Sequence, residues 1–304
     1  DTAIIYKNVG DGIADIGAAS ESVISTMKAF GIQAKDSMSI VDKFNETGNN
    51  FAISSAGIGD ALMRSASALA AAGNTIDESI ALVTAANTVI QDPDVVGTTM
   101  KTVSMRIRGM KTELEEAGEE TETMAETTSQ LRDKILALSG VDIMIDNETF
   151  KSTIQILKEL GAAWDGMNDA QHAAALELLA GKRNGNVVQA ILDNVELLDQ
   201  VTETSMNSSG SALKENETYL DSINGKIAQF AATFEEISNN VINSEFIKGT
   251  VDAGTGILGY LNKVIEFLDA IPSIAGVAFA ALATKDIGYC NNENALPYFM
   301  SMAA

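Results

Sequence analysis

The sequence predicts an all-α fold, and three observations carry that expectation. Apolar residues recur at alternating steps of three and four along most of the chain. Only three Pro interrupt 304 residues. Helix-start chemistry is explicit at Thr75-Ile76-Asp77-Glu78 and at Asp92-Pro93-Asp94. Aromatic residues make up 5% of the chain, with a single Trp, against 46% hydrophobic residues in all. Seams of Ala, Ile, Leu and Met must therefore do most of the packing. Twenty-four Gly point to many helix ends and joints. The expected architecture is a set of short and medium capped helices plus one heptad-patterned helix, forming an oligomeric bundle.

A helical lead-in occupies residues 1–33, with a helix over roughly 14–30, and a helical core follows over 34–207. The core opens with a helix over 34–47. Ile58, Leu62 and Leu69 then supply one apolar face, and Gly73 closes that helix. Thr75 and Glu78 start the next as a capping box, with Ile80, Val83 and Ile90 on its buried face. Asp92 is an N-cap, Pro93 stands at the first helical position, and Asp94 meets the positive end of the helix dipole. From there Val96, Met100, Val103, Ile107, Met110 and Leu114 form one stripe. An acidic stretch ends near Glu126, and a helix begins around Thr127. Another is expected from Asn147, burying Phe150, Ile154, Leu157 and Trp164. Asn168 caps a helix that ends at Gly181. A loop over 181–186 then leads into a helix with Val188, Ile191, Val195 and Leu198 inward.

Ser208-Ser209-Gly210-Ser211 reads as a linker that opens a heptad helix over 208–248. Leu220, Ile223, Ile227, Phe230, Phe234, Ile237 and Val241 are spaced 3, 4, 3, 4, 3, 4. Such a seam serves either intramolecular pairing or a homo-oligomeric coiled coil. β-Branched residues at both core positions lean away from dimers, favouring a trimer, with a hexamer as the other assembly. Residues 249–304 hold an amphipathic and apolar segment. Ile257, Leu261, Val264 and Leu268 make one face, and 270–283 is uncharged. That run falls short of the ~20 residues a membrane-spanning helix needs. It is either a buried hairpin or oligomer core, or a membrane-active element through Ile271, Ile274, Val277, Phe279 and Leu282.

A formal net charge of -22 repels phosphate backbones, so sequence-specific nucleic-acid binding is not expected. The charge serves either as a solvated surface or as the lining of a conduit. One Cys, Cys290, rules out an internal disulfide framework. No signal peptide is expected behind Asp1, and the missing initiator Met suggests a piece of a longer chain. The sequons at Asn45, Asn147, Asn207 and Asn216 read as caps and turns. Gly254-Thr255-Gly256-Ile257-Leu258-Gly259 matches a dinucleotide fingerprint in letters only, since no strand precedes it. His172, the only histidine, shares a helix face with Leu176 and Leu179 and reads as a packed side chain. The clustered Glu113, Glu115, Glu116, Glu119, Glu120 and Glu122 read as a solvated helix end. No catalytic residue, cofactor or metal site is expected. Lys101, Arg106, Arg108 and Lys111 have no acid between them. They form either a surface stripe paired with the acids downstream or a dock for an acidic neighbour, such as an adjacent copy.

Residues 55–118, holding ALMRSASALAAAGNTIDESIALVTAANTVIQDPDVVGTTMKTVSMRIRGMKTELEEAGEE, resemble the core domain of the phage tail tape measure family. VDKFNETGNNFAISSAGIG upstream, and LLAGKRNGNVVQAILDN and GSALKENETYLDSINGKIAQF downstream, are similar to the same family in the same order. The resemblance covers roughly residues 34–241. It implies a structural virion protein that sets tail length, occupies the tail tube or tip and assists DNA passage. The partners it implies are copies of itself, tube proteins and tail-tip or baseplate hub proteins, with host membrane contact at ejection. It places the chain in the virion tail, and in the host cytoplasm during assembly. A helical membrane-perturbing or pore-forming protein is the other reading, and a cell-wall hydrolase the third. Fully helical, 304 residues would span about 450 Å. With so many breaks the real span must be far shorter, so most of any measuring would lie outside this piece.

Overall fold

A computed structural model of the chain describes residues 1–109, 128–222 and 226. Asp1–Tyr219 form one compact unit and Leu220–Ala304 a second. Eleven α-helices occur among the described residues: α1 (Thr2–Val9), α2 (Ile16–Ala29), α3 (Met38–Asn50), α4 (Ser55–Ala71), α5 (Ile76–Ile90), α6 (Pro93–Ile107), α7 (Thr128–Ser139), α8 (Thr153–Trp164), α9 (Asp169–Leu192), α10 (Glu196–Met206) and α11 (Ser211–Asp221). A single 3-10 turn, Ala34–Asp36, precedes α3. The fold is all-α; the one β-like feature among the described residues is an isolated antiparallel bridge between Met144 and Phe150.

The centre of the unit is α5. Every residue from Ser79 to Asn87 is buried, because Ile80-Ala81-Leu82-Val83-Thr84-Ala85-Ala86 carries no charge on any face. A helix apolar all round is stable only inside other helices, and α4, α6, α8, α9 and α10 all pack on it. Its start is the expected capping box: Thr75 Oγ1 accepts from the Glu78 amide at 3.2 Å, and the Glu78 carboxylate accepts from the Thr75 amide at 2.8 Å. Its end is Gln91, left-handed at φ 54°, whose side-chain amide donates back to the Asn87 carbonyl at 2.8 Å.

The closest helix pair is α4 with α6. A Cβ placed on Gly97 would stand 2.4 Å from the Ala61 carbonyl oxygen, so the two backbones touch where side chains would normally separate them. Val96, Met100, Val103 and Ile107 of α6 are all fully buried, as their spacing predicts. Ile58, Leu62 and Leu69 of α4 are buried beside them. In a chain poor in aromatics, this close approach replaces bulk as the source of contact. The N-terminal layer adds α1, α2 and α3. Here Tyr6 donates from its hydroxyl to the Ser55 carbonyl at 2.8 Å and tilts against Phe44 with ring centroids 5.9 Å apart. Burial drives the Tyr6 pKa well above that of an ordinary phenol.

Four local expectations are corrected. The first helix of the chain is α1, ahead of the helix expected near residue 14. No helix starts at Asn147: the Asp146 carboxylate accepts from the amides of Glu148 and Thr149 at 2.8 and 2.7 Å, closing a turn. Ser152 then caps α8, leaving Phe150 outside that helix and half-buried. The stretch 181–186 is helical, not a loop. Gly181 alone leaves helical geometry, at φ 75° and ψ 170°, and α9 continues to Leu192. Asn45, buried inside α3, and Asn216, inside α11, are neither caps nor turns.

Gly97→Ala is expected to lower the unfolding free energy by about 1–3 kcal/mol, the usual cost of overpacking, through separation of α4 from α6. Urea unfolding followed by circular dichroism measures it; an unchanged midpoint would show that the two helices tolerate a wider spacing.

Candidate functional site

Three of the four basic residues singled out above lie within the described chain, and two of them turn inward. Arg106, near the end of α6, is only 8% exposed. Its guanidinium lies over the kink in α9, where a Cβ on Gly181 would come within 2.9 Å of Nη1. Arg108 donates from Nη2 to the Ala72 carbonyl at 2.6 Å. Its Cζ stands 5.3 Å from the Phe150 ring centroid, and burial lowers its pKa. Ala72 is the C-cap of α4, so Arg108 supplies the donor that an exposed helix end would take from water. The physical reason is that α6 ends over the end of α4 and the bend of α9, where carbonyls need partners. Lys101 is half-buried on α6, and Lys111 lies outside the described residues.

A second polar joint binds α3 to the later helices. Lys43 pairs with Asp77 at 2.6 Å and donates to the Ser205 carbonyl at 3.2 Å, while the Ser205 hydroxyl donates to Asp77 at 2.6 Å. Next to it, buried Asp42 accepts from the amides of Gly210 and Ala212, both at 3.0 Å. The expected linker 208–211 is therefore a clamped turn, with Gly210 at φ 81°. Sequence reasoning missed this joint because all its partners but Lys43 and Asp77 lie some 130 to 170 positions apart. One signal was available: Asp42, Lys43 and Asn45 interleave with the apolar Ile40, Val41 and Phe44 on a single short helix.

Asn74 makes a third joint. Its side-chain oxygen accepts from the Ile154 amide at 3.0 Å and its amide donates to the Leu69 carbonyl at 2.8 Å, tying the start of α8 to the end of α4. His172 stacks on Trp164 at 4.0 Å, with Nε2 2.9 Å from the Trp164 carbonyl oxygen. It is a packed histidine, as its helix face predicts. On the surface, Asp60, Met63, Arg64 and Asp94 line a shallow depression, in which burial and then repulsion from Asp94 raise the Asp60 pKa. Among the described residues no group of three or more His, Cys, Asp or Glu could hold a metal ion. No helix there is long and apolar enough to cross a membrane.

Of the heptad seam, Leu220 lies within α11 and is half-buried. Ile223, Ile227, Phe230, Phe234, Ile237 and Val241 lie outside the described residues, as do Ile271, Ile274, Val277, Phe279 and Leu282. Replacing Arg108 with Met should cost about 1–3 kcal/mol by stranding the Ala72 carbonyl. Thermal melting tests this, and a smaller loss in Arg108→Lys would separate the hydrogen bond from the stacking on Phe150.

The chain is similar to a tape measure protein of Pneumococcus phage Dp-1, 23% identical over 253 residues, which are 83% of this chain and 20% of that protein. The chain thus spans about a fifth of the length of the curated relative it matches. No solved structure matches it. The model of the phage-related minor tail proteins matches residues 8–181, more than half of the chain and all of the helices from α2 to α8. The chain belongs to the phage-related minor tail protein family, structural components of the phage tail.

Proposed function

We propose that this chain is a section of a tape measure protein that helps set tail length, sits in the tail tube or at the tail tip, and assists DNA passage. One observation carries the reading: similarity to a tape measure protein runs through 83% of the chain. The short helices of Asp1–Tyr219 support a non-measuring share of that role for this unit. Among the described residues its longest helix has 24 residues and is kinked at Gly181, so it spans at most about 36 Å. Helices folded around α5 measure little length. This unit is cargo at one end of the tube, and longer helical stretches elsewhere in the parent protein do the measuring.

Deleting residues 1–219 from the parent gene tests the division of labour. Tails viewed by electron microscopy should shorten by far less than the ~330 Å that as many helical residues would span, while DNA delivery falls at least tenfold. Shortening by the full length would make this unit part of the ruler. Tails of ordinary length with ordinary delivery would overturn the assigned role.

The same reading places copies of the chain against one another along Leu220, Ile223, Ile227, Phe230, Phe234, Ile237 and Val241, with tube, tip or baseplate hub proteins around them. Native mass measurement of the chain should give a trimer, or a hexamer, and Ile227→Asp should return it to monomers. A wild-type monomer at micromolar concentration would remove the seam from the assembly. Host membrane contact through 270–283 belongs to the same proposal. Loss of liposome leakage on deleting that run is its expected signature.

A further inference from the structure

The helices of the first unit are held by buried apolar side chains, with one exception. In α11 only Ala212 is buried, and Leu213 is 46% exposed. Among the described residues no other α-helix of the unit is approached so sparsely by its neighbours. Tyr219 and Leu220 are half-buried near its end, and its start and middle are held by polar contacts. Asp42 accepts from the Gly210 and Ala212 amides at 3.0 Å. Asn45 donates to the Ser211 hydroxyl at 3.0 Å and to Glu215 at 2.7 Å, and Asn49 donates to Glu215 at 2.8 Å. Ser211 donates to Glu46 at 2.6 Å, and Asn8 donates to Asn216 at 2.8 Å.

We propose that α11 is a releasable arm, latched to α3 by Asp42 and helical only while latched. Two physical arguments support it. First, every group in this joint finds equivalent partners in water, so opening it forfeits little, whereas lifting any helix off α5 exposes apolar surface. Second, the carboxylate that caps the start of α11 belongs to α3, not to α11 or its own preceding turn. Undocking therefore removes the N-cap in the same step. Eleven residues without a cap, and with little apolar burial beyond Ala212, are too few to stay helical alone in water. Docking and helix formation are one equilibrium. Release unwinds the arm, whose eleven residues reach roughly 35–40 Å when fully extended. The device goes beyond the tail role proposed above and depends on none of its details.

Native-state hydrogen exchange on the full 304-residue chain reads this equilibrium. The amides of 212–219 should exchange at least ~100-fold faster than those of Leu82 to Ala86 in α5. Asp42→Ala should speed exchange of 212–219 about tenfold further and leave α5 unchanged. A common rate for both regions in the wild-type chain overturns the proposal, as does equal acceleration of both by Asp42→Ala. Should that variant fail to fold, Glu215→Ala repeats the comparison from the arm itself, at a half-buried side chain. Selective acceleration of 212–219 supports the latch, and unchanged exchange there refutes it.

Discussion

A helix with no charged face along its middle organises this molecule. From Ser79 to Asn87, α5 carries apolar residues on every side with only Ser79, Thr84 and Asn87 among them, and each of those residues is buried. Such a segment cannot lie on a surface, so the chain before and after it must be wound around it. Five helices do so. Because the wrapping helices contain few aromatic residues, they gain contact by proximity. The touch of Gly97 on the Ala61 carbonyl lets α4 and α6 close on each other and brings both against α5. The N-terminal layer then needs only to cover the outer side of α4, where Tyr6 reaches the first carbonyl of that helix, Ser55.

Short helices create a second demand. Each one leaves several backbone donors and acceptors without intrahelical partners, and eleven helices among little more than two hundred described residues multiply those ends. Local caps satisfy some: Asp15, Ser54, Thr75, Asp92, Ser152 and Asn168 each accept from the following turn. Others are closed from far away. Arg108 takes the carbonyl at the end of α4, Asn74 binds the start of α8, and Asp42 caps α11. These three residues interlock helix ends across the unit, and they explain why conspicuous polar side chains here do structural duty in a phage tail protein.

Much of this was legible beforehand, and particular residues show why. The periodicity of Val96, Met100, Val103 and Ile107, the capping box at Thr75, the cap at Asn168 and the Asp92-Pro93 start all depend on neighbours within one or two turns. Interactions of that range are encoded in spacing. Errors arose where two local signals competed. Asn147 and Asp146 both offer turn-closing side chains, and the Asp146 carboxylate took the amides that a helix start at Asn147 would have required. Gly181, among Lys, Arg, Asn and Gly, reads as a loop until the burial of Val187 and Val188 pulls the chain straight back into a helix.

Residue order over short distances sets the helical class, the stripes that form the core and the family of the chain. What the polar residues are for is set by packing. Whether Arg106 faces solvent or Gly181, whether Asp42 is a surface acid or the cap of a helix some 170 positions away, depends on which helix ends the folding of α5 brings together. A carboxylate or guanidinium carries no mark of its partner. Only the positions of orphaned backbone groups, set by packing, select one.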